Sequence, residues 1–188
     1  MSTFWSRYRV RISQGLGVLV LAACQPCDWR LFGTGLLVAA LGEAVRFWAS
    51  GHLSKDAALA QDGPYLLIRN PLYFGSFGIA VGFLIAVTNP AAWLTTASIW
   101  TLVLGGFHRM YTHAIRSEEA HLAGLFGDAF DRYRRRTPAF WPRPGDLPQA
   151  LKSTAFSFQK AKKNKEPHTL AAVLAAMLVV GLKLRFHA

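Results

Sequence analysis

Residues 63–75 read GPYLLIRNPLYFG, a short stretch lying between two long apolar runs. Pro64 and Pro71 restrict their own backbone and that of the residues before them, so this is no ordinary helix. Arg69 and Asn70 make it too polar to cross a bilayer. It reads as a connector held in place between two membrane-type segments.

The composition around it agrees. The chain has 188 residues, 52% hydrophobic and 13% aromatic, and only 16% charged. Its net charge is nevertheless +11, a balance suited to nucleic acid or to the anionic face of a membrane. The basic residues flank apolar runs and form no face of a soluble DNA-binding motif, so anionic lipid headgroups are the expected partners and nucleic acid is not. The two cysteines, Cys24 and Cys27, have CxxC spacing without a βαβ pattern or a second pair, and read as small residues at a helix end.

Outward from the connector, the runs count as membrane spans. Arg7, Arg9 and Arg11 precede Ile12 to about Ala23, which reads as a retained first span because no small-residue cleavage site follows. Leu31 to about Trp48 is the second; near its end Glu43 and Arg46 lie three apart, either paired at membrane depth or placed at the interface with Phe47 and Trp48. The third starts at Pro71, well placed in a first helical turn, and runs to the turn Thr88-Asn89-Pro90. A fourth covers about Ala91 to Phe107, and so short a link predicts an antiparallel hairpin. From His113 to Tyr133 the apolar residues Ile115, Leu122, Phe126, Phe130 and Tyr133 recur at helical spacing, predicting an interfacial amphipathic helix. Pro138, Pro142, Pro144 and Pro148 end it, a lysine-rich linker follows, and Leu170 to Leu184 is a fifth span.

The expected fold is therefore all-α: a polytopic membrane protein with about five transmembrane helices and an interfacial amphipathic helix. A single domain over 1–188 is expected, divided into N-terminal spans (1–45), a core (46–144), a basic linker (145–167) and a C-terminal span (168–188). With every run spanning, the N-terminal arginines, the connector and the basic stretch from Arg109 to Lys165 share the cytoplasmic side, as the positive-inside rule requires. The connector then faces Arg116-Ser117-Glu118-Glu119-Ala120-His121-Leu122. Adjacent carboxylates diverge by about 100° on a helix, so at most one points into a site, and periodicity alone does not choose between them.

The pattern GPYxxxRNPxYxG, followed after two spans by EExxLxxxFGxxFxxY and a proline-rich end, resembles the integral-membrane methyltransferases of the isoprenylcysteine carboxyl methyltransferase and phospholipid methyltransferase group. The resemblance runs from about Arg46 to Pro144. It implies an S-adenosylmethionine-dependent enzyme of a bacterial inner membrane with its active site facing the cytoplasm, acting on a lipidic or amphiphilic acceptor by carboxylate O-methylation or amine N-methylation. By resemblance the cofactor contacts Leu59, Ala60, Tyr65, Asn70, Pro71, Leu72, Tyr73 and Glu118. The residue chemistry agrees in type: Tyr65 and Tyr73 offer aromatic faces, and a carboxylate accepts hydrogen bonds. Methyl transfer to an acid needs a cation to anchor it, with Arg116, Arg109 or Arg69 as candidates; transfer to an amine needs a base such as Glu119 or His113. Two positions depart from the family: Asn70 stands where a histidine is usual, and Ala114 where the eukaryotic prenylcysteine enzymes carry a substrate-holding arginine. No metal site is expected, since the histidines show no ligand spacing and read as interfacial or solvated. The rival readings are an NADPH-dependent membrane reductase of the sterol-reductase type, with Arg132 to Arg136 for a 2′-phosphate, and a non-catalytic membrane protein.

Overall fold

The structure, a computed structural model, describes residue 15 and residues 17–187. Arg7, Arg9, Arg11 and most of the first apolar run lie outside the described residues; its end is helical over 17–23 (α1). Asp28 then opens α2 (Trp29–His52), its carboxylate accepting from the Arg30 amide at 2.6 Å. A single turn, α3 (Pro64–Leu67), precedes α4 (Pro71–Ala86), and α5 (Trp93–Phe126) follows a tight 3-10 turn. Then come α6 (Asp128–Arg136), α7 (Leu147–Leu151), α8 (Phe158–Lys163) and α9 (Glu166–His187), with no strand among the described residues.

Among the described residues, two helices are long and apolar enough to cross a membrane singly, Trp29–His52 and Glu166–Phe186. On α9, Leu170, Leu174, Leu178 and Leu182 recur every fourth residue and all stay exposed, an unburied stripe that suits lipid and not water. The pair α4 and α5 passes the same test only together, bent by 97° across the turn at Thr88 to Pro90. This corrects the expected hairpin. The ring pairs Phe77–Phe107 and Tyr73–Tyr111 keep an antiparallel register, yet the axes diverge instead of lying side by side. Bulky rings bridge the gap. The fourth span and the first part of the expected interfacial helix are one element, because no glycine-proline signal interrupts Phe107 to His113. Thus α5 runs unbroken for 34 residues, about 51 Å at 1.5 Å per residue, and Gly127, at φ +47°, then splits the expected helix and leaves Phe130 and Tyr133 on α6.

What packs closely is α2 against α4, through small residues. A Cβ on Gly42 would lie 2.6 Å from the Gly75 carbonyl oxygen, and Gly35 and Gly82 are opposed in the same way one end further along. Without side chains between them, the two backbones touch. At the connector end of this pair, Arg46 is bound on all sides: Nε to Glu166 at 2.8 Å, Nη2 to Glu166 at 3.2 Å, Nη1 to the Leu72 carbonyl at 3.2 Å and to Ser76. Glu43 is buried too, 3.8 Å from Arg46, and neither of its oxygens meets a hydrogen-bond donor among the described residues. Arg46 therefore belongs chiefly to Glu166 of α9, which fixes the last helix against α2.

At the opposite end, Lys183 donates to the carbonyls of Leu21, Ala22 and Cys24, closing the end of α1, and Asn89 donates to the Gln25 carbonyl. Cys24 and Cys27 are free thiols, the first buried and the second exposed. His52, expected to be interfacial or solvated, is not solvated. It is buried under Gly63, with Nδ1 2.9 Å from the Trp48 carbonyl, and a Cβ on Gly63 would lie 2.5 Å from its ring. Gly63 also has φ +57°, so glycine is required there twice over.

Candidate functional site

The connector is anchored first by its own backbone. The Arg69 amide donates to the Pro138 carbonyl at 2.9 Å, and the Arg143 amide to the Leu67 carbonyl at 3.1 Å, so the proline-rich stretch lies along GPYLLIRNP like an edge partner. Asn70 extends this contact, donating from Nδ2 to the Ala139 carbonyl at 2.9 Å. Its amide holds the connector to the stretch that follows α6, a task that needs a donor and no titratable group. Tyr133 of α6 donates to the Tyr65 carbonyl at 2.8 Å. Burial pushes both phenols, Tyr65 and Tyr133, well above the usual tyrosine range.

Arg69 then ties these pieces to α5. Its Nε and Nη2 reach one oxygen of Glu119 at 2.9 and 2.8 Å, while Nη1 donates to the carbonyls of Arg134 and Thr137 at 2.9 and 2.6 Å. Glu119 is thus held as the counter-charge of a nearly buried guanidinium. The next residue along, Glu118, faces the other way round the helix and accepts from the Tyr73 hydroxyl at 2.8 Å. The choice that periodicity left open is made by this division: Glu119 toward the connector's arginine, Glu118 toward the start of α4.

The Tyr73 ring stands edge-on to Tyr111 at 5.0 Å, and Tyr111 stacks on Phe107 at 3.9 Å. Phe107, Tyr111, Ala114 and Glu118 recur at spacings of four, three and four, one face of α5. Phe107 and Tyr111 of that face line a cleft of about 480 Å³ opened by the splay of α4 from α5 and closed behind by α1 and α9. Its walls are apolar, among them Ile79, Ala80, Phe83, Val103, Met110 and Met177, and its polar end holds Arg46, Ser76, Thr169 and Tyr111.

Of the residues expected at a site, the fold brings together Tyr73 with Glu118 and sets Pro71 and Leu72 beside them on the first turn of α4. Tyr65 is buried against α6, and Leu59 and Ala60 sit half-buried in the loop before α3. Arg116 and His113 are exposed, about 200° and 140° around α5 from Glu118 at 100° per residue, and do not join that face. Reading the sequence missed Tyr111 and Phe107. The signal was their spacing to Glu118, masked by the expectation that a span ended at Phe107.

The geometry can be set beside known proteins. The pattern of the family described as phospholipid methyltransferase matches residues 31–129, more than half of the chain. The chain belongs to this family. Among curated relatives, the cobalt-zinc-cadmium resistance protein CzcN of Cupriavidus metallidurans is 30% identical over 76% of this chain and 68% of its own length. The nickel-cobalt-cadmium resistance protein NccN of Alcaligenes xylosoxydans xylosoxydans is 37% identical over 72% of this chain and 63% of its own. The protein-S-isoprenylcysteine O-methyltransferase of Schizosaccharomyces pombe is 32% identical over 54% of this chain and 40% of its own. No solved structure matches the chain. The family match covers α2, the connector, α4, α5 and the opening of α6, so Tyr73, Arg69, Glu118 and Glu119 all lie inside it, whereas α9 lies outside.

Proposed function

We propose that this chain transfers a methyl group from S-adenosylmethionine to a lipidic or amphiphilic acceptor, at the cytoplasmic face of a bacterial inner membrane, and that its apolar runs make about five spans. The observation that carries the reading is the Tyr73–Glu118 hydrogen bond, which joins two motif segments beside Tyr111, a ring in the wall of an apolar cleft. Exposed Glu118 suits the amino or hydroxyl donors of the cofactor, and the Tyr73, Tyr111 and Phe107 rings suit a sulfonium. When bound, S-adenosylmethionine supplies an electrophilic methyl group. Tyr73 orients Glu118, the Arg69–Glu119 pair fixes the register of α5 against the connector, and the apolar walls hold an acceptor's tail while keeping water from its head.

The polar end of the cleft bears on the acceptor. Arg46 is its cation, but Glu166 and Glu43 place two carboxylates beside one guanidinium. An acidic head would have to compete with Glu166 for Arg46, so an amine-bearing head fits better. Arg116 and His113, turned away on α5, and Glu119, held by Arg69, take no part at the reacting atoms in this reading.

Calorimetric titration of the detergent-purified protein with S-adenosylhomocysteine, with NADPH as parallel ligand, tests it. Micromolar binding of the former, lost in Glu118→Ala, supports the reading. Binding of NADPH alone would move the chain to the reductases, and binding of neither would leave a non-catalytic membrane protein.

A further inference from the structure

A second cavity, of about 410 Å³, shares no lining residue with the cleft and is walled in part by Tyr133, which donates to the Tyr65 carbonyl. Its walls carry Arg132, Arg136 and Arg143 with Asp146, Gln61 and Gln149. Arg132 and Arg136 are one turn apart on α6, and Arg143 is placed by the hydrogen bond its backbone N–H donates to the Leu67 carbonyl. The cavity thus gathers three guanidinium groups against one carboxylate. Arg46 and Arg69 are saturated with acceptors, but among the described residues no hydrogen bond or ion pair engages the guanidinium of Arg132, Arg136 or Arg143. Converging, unpaired guanidinium groups in a concave site are what recognises a phosphate, because each planar fork matches two of its oxygens.

The source of that phosphate is indicated by the segment that closes the cavity. Trp141 and Leu151 are exposed by 68% and 66%, and Leu147 and Leu151 stand one turn apart on α7, away from Gln149. Exposed tryptophan and leucine beside arginines is the arrangement of a membrane interface, where headgroups lie. We propose that this cavity binds the phosphate of an anionic lipid headgroup, holding the proline-rich stretch and α6 against the membrane surface. The site uses none of the residues assigned to methyl transfer, so a Glu118→Ala protein blind to S-adenosylhomocysteine retains it.

The test is titration of the detergent-purified full chain with dihexanoylphosphatidic acid, dihexanoylphosphatidylcholine and inorganic phosphate. The phosphatidic acid binds and the phosphatidylcholine does not. Changing Arg132, Arg136 and Arg143 together to Gln weakens binding roughly tenfold or more, while the equal charge loss of Lys160→Gln, Lys162→Gln and Lys163→Gln changes it less than about twofold. Asp146→Asn tightens binding, a gain that misfolding does not produce. Inorganic phosphate binding as tightly, with the same dependence on the arginines, keeps the phosphate site and assigns it to the free ion. Equal losses in the arginine and lysine variants, or no binding of either phosphate compound, overturn the proposal.

Discussion

Replacing Arg69 by Met removes a guanidinium that holds four acceptor contacts, two to one oxygen of Glu119 and one each to the carbonyls of Arg134 and Thr137, and leaves Glu119 as a charge without its partner. Removing one member of a fully buried pair costs about 3–5 kcal/mol. The two side chains keep 11% and 18% of their surface, enough for some water to reach Glu119, so the low end applies: about 3 kcal/mol. The carbonyls gain water and add little. Reversible unfolding in mixed micelles of increasing detergent denaturant, run on Arg69→Met, Glu119→Met and the double variant, measures this. The double variant recovers a coupling energy on the order of 1–2 kcal/mol, because its second change removes the charge that the first left stranded. If the single losses add within about 0.5 kcal/mol, the pair is not coupled and the latch between connector and α5 is refuted.

Four other outcomes are expected. Gly42→Ala places a methyl 2.6 Å from the Gly75 oxygen and 2.7 Å from the Ile79 nitrogen, both backbone, and loses about 1–3 kcal/mol, whereas Gly33→Ala on the same helix meets nothing within 4 Å and is neutral or better; the same unfolding assay ranks them. Tyr73→Phe removes a hydroxyl bonded to a carboxylate and weakens S-adenosylhomocysteine binding by about tenfold, read by calorimetry. Ala80→Trp fills the cleft, so methyl transfer to a lipidic acceptor falls while S-adenosylhomocysteine affinity stays within about twofold. Tyr133 and Tyr65 keep their protons in the folded state beyond the pH at which the unfolded chain gives them up, so their contribution is whole below about pH 10 and is lost as pH rises above it. Tyr133→Phe costs about 1 kcal/mol at neutral pH through the lost bond to the Tyr65 carbonyl, and flattens the alkaline decline; an unchanged slope in a pH series of melts would contradict the burial argument.

Much of this was legible residue by residue. The start of α4 follows from Pro71, the end of the third run from Thr88-Asn89-Pro90, and the bilayer-length helices α2 and α9 from apolar length, because each is a local property of the chain. The membrane class and the family motif were readable for the same reason. The glycines of α2 and α4 were visible too, but not their opposition: nothing in either helix alone says that Gly42 meets Gly75.

By itself, then, the sequence determined an all-helical chain with lipid-length runs and two motif segments in a fixed order. Tertiary structure decided which carboxylate serves which segment, that Arg46 belongs to Glu166 on a helix 120 positions away, and that α4 and α5 splay to leave a cleft. The physical reason is distance along the chain. Helix periodicity fixes how side chains one or two turns apart are disposed, but the angle between two helices depends on the volumes that meet when they pack, and the rings of Phe77, Phe107, Tyr73 and Tyr111 hold α5 off where glycines let α2 come close.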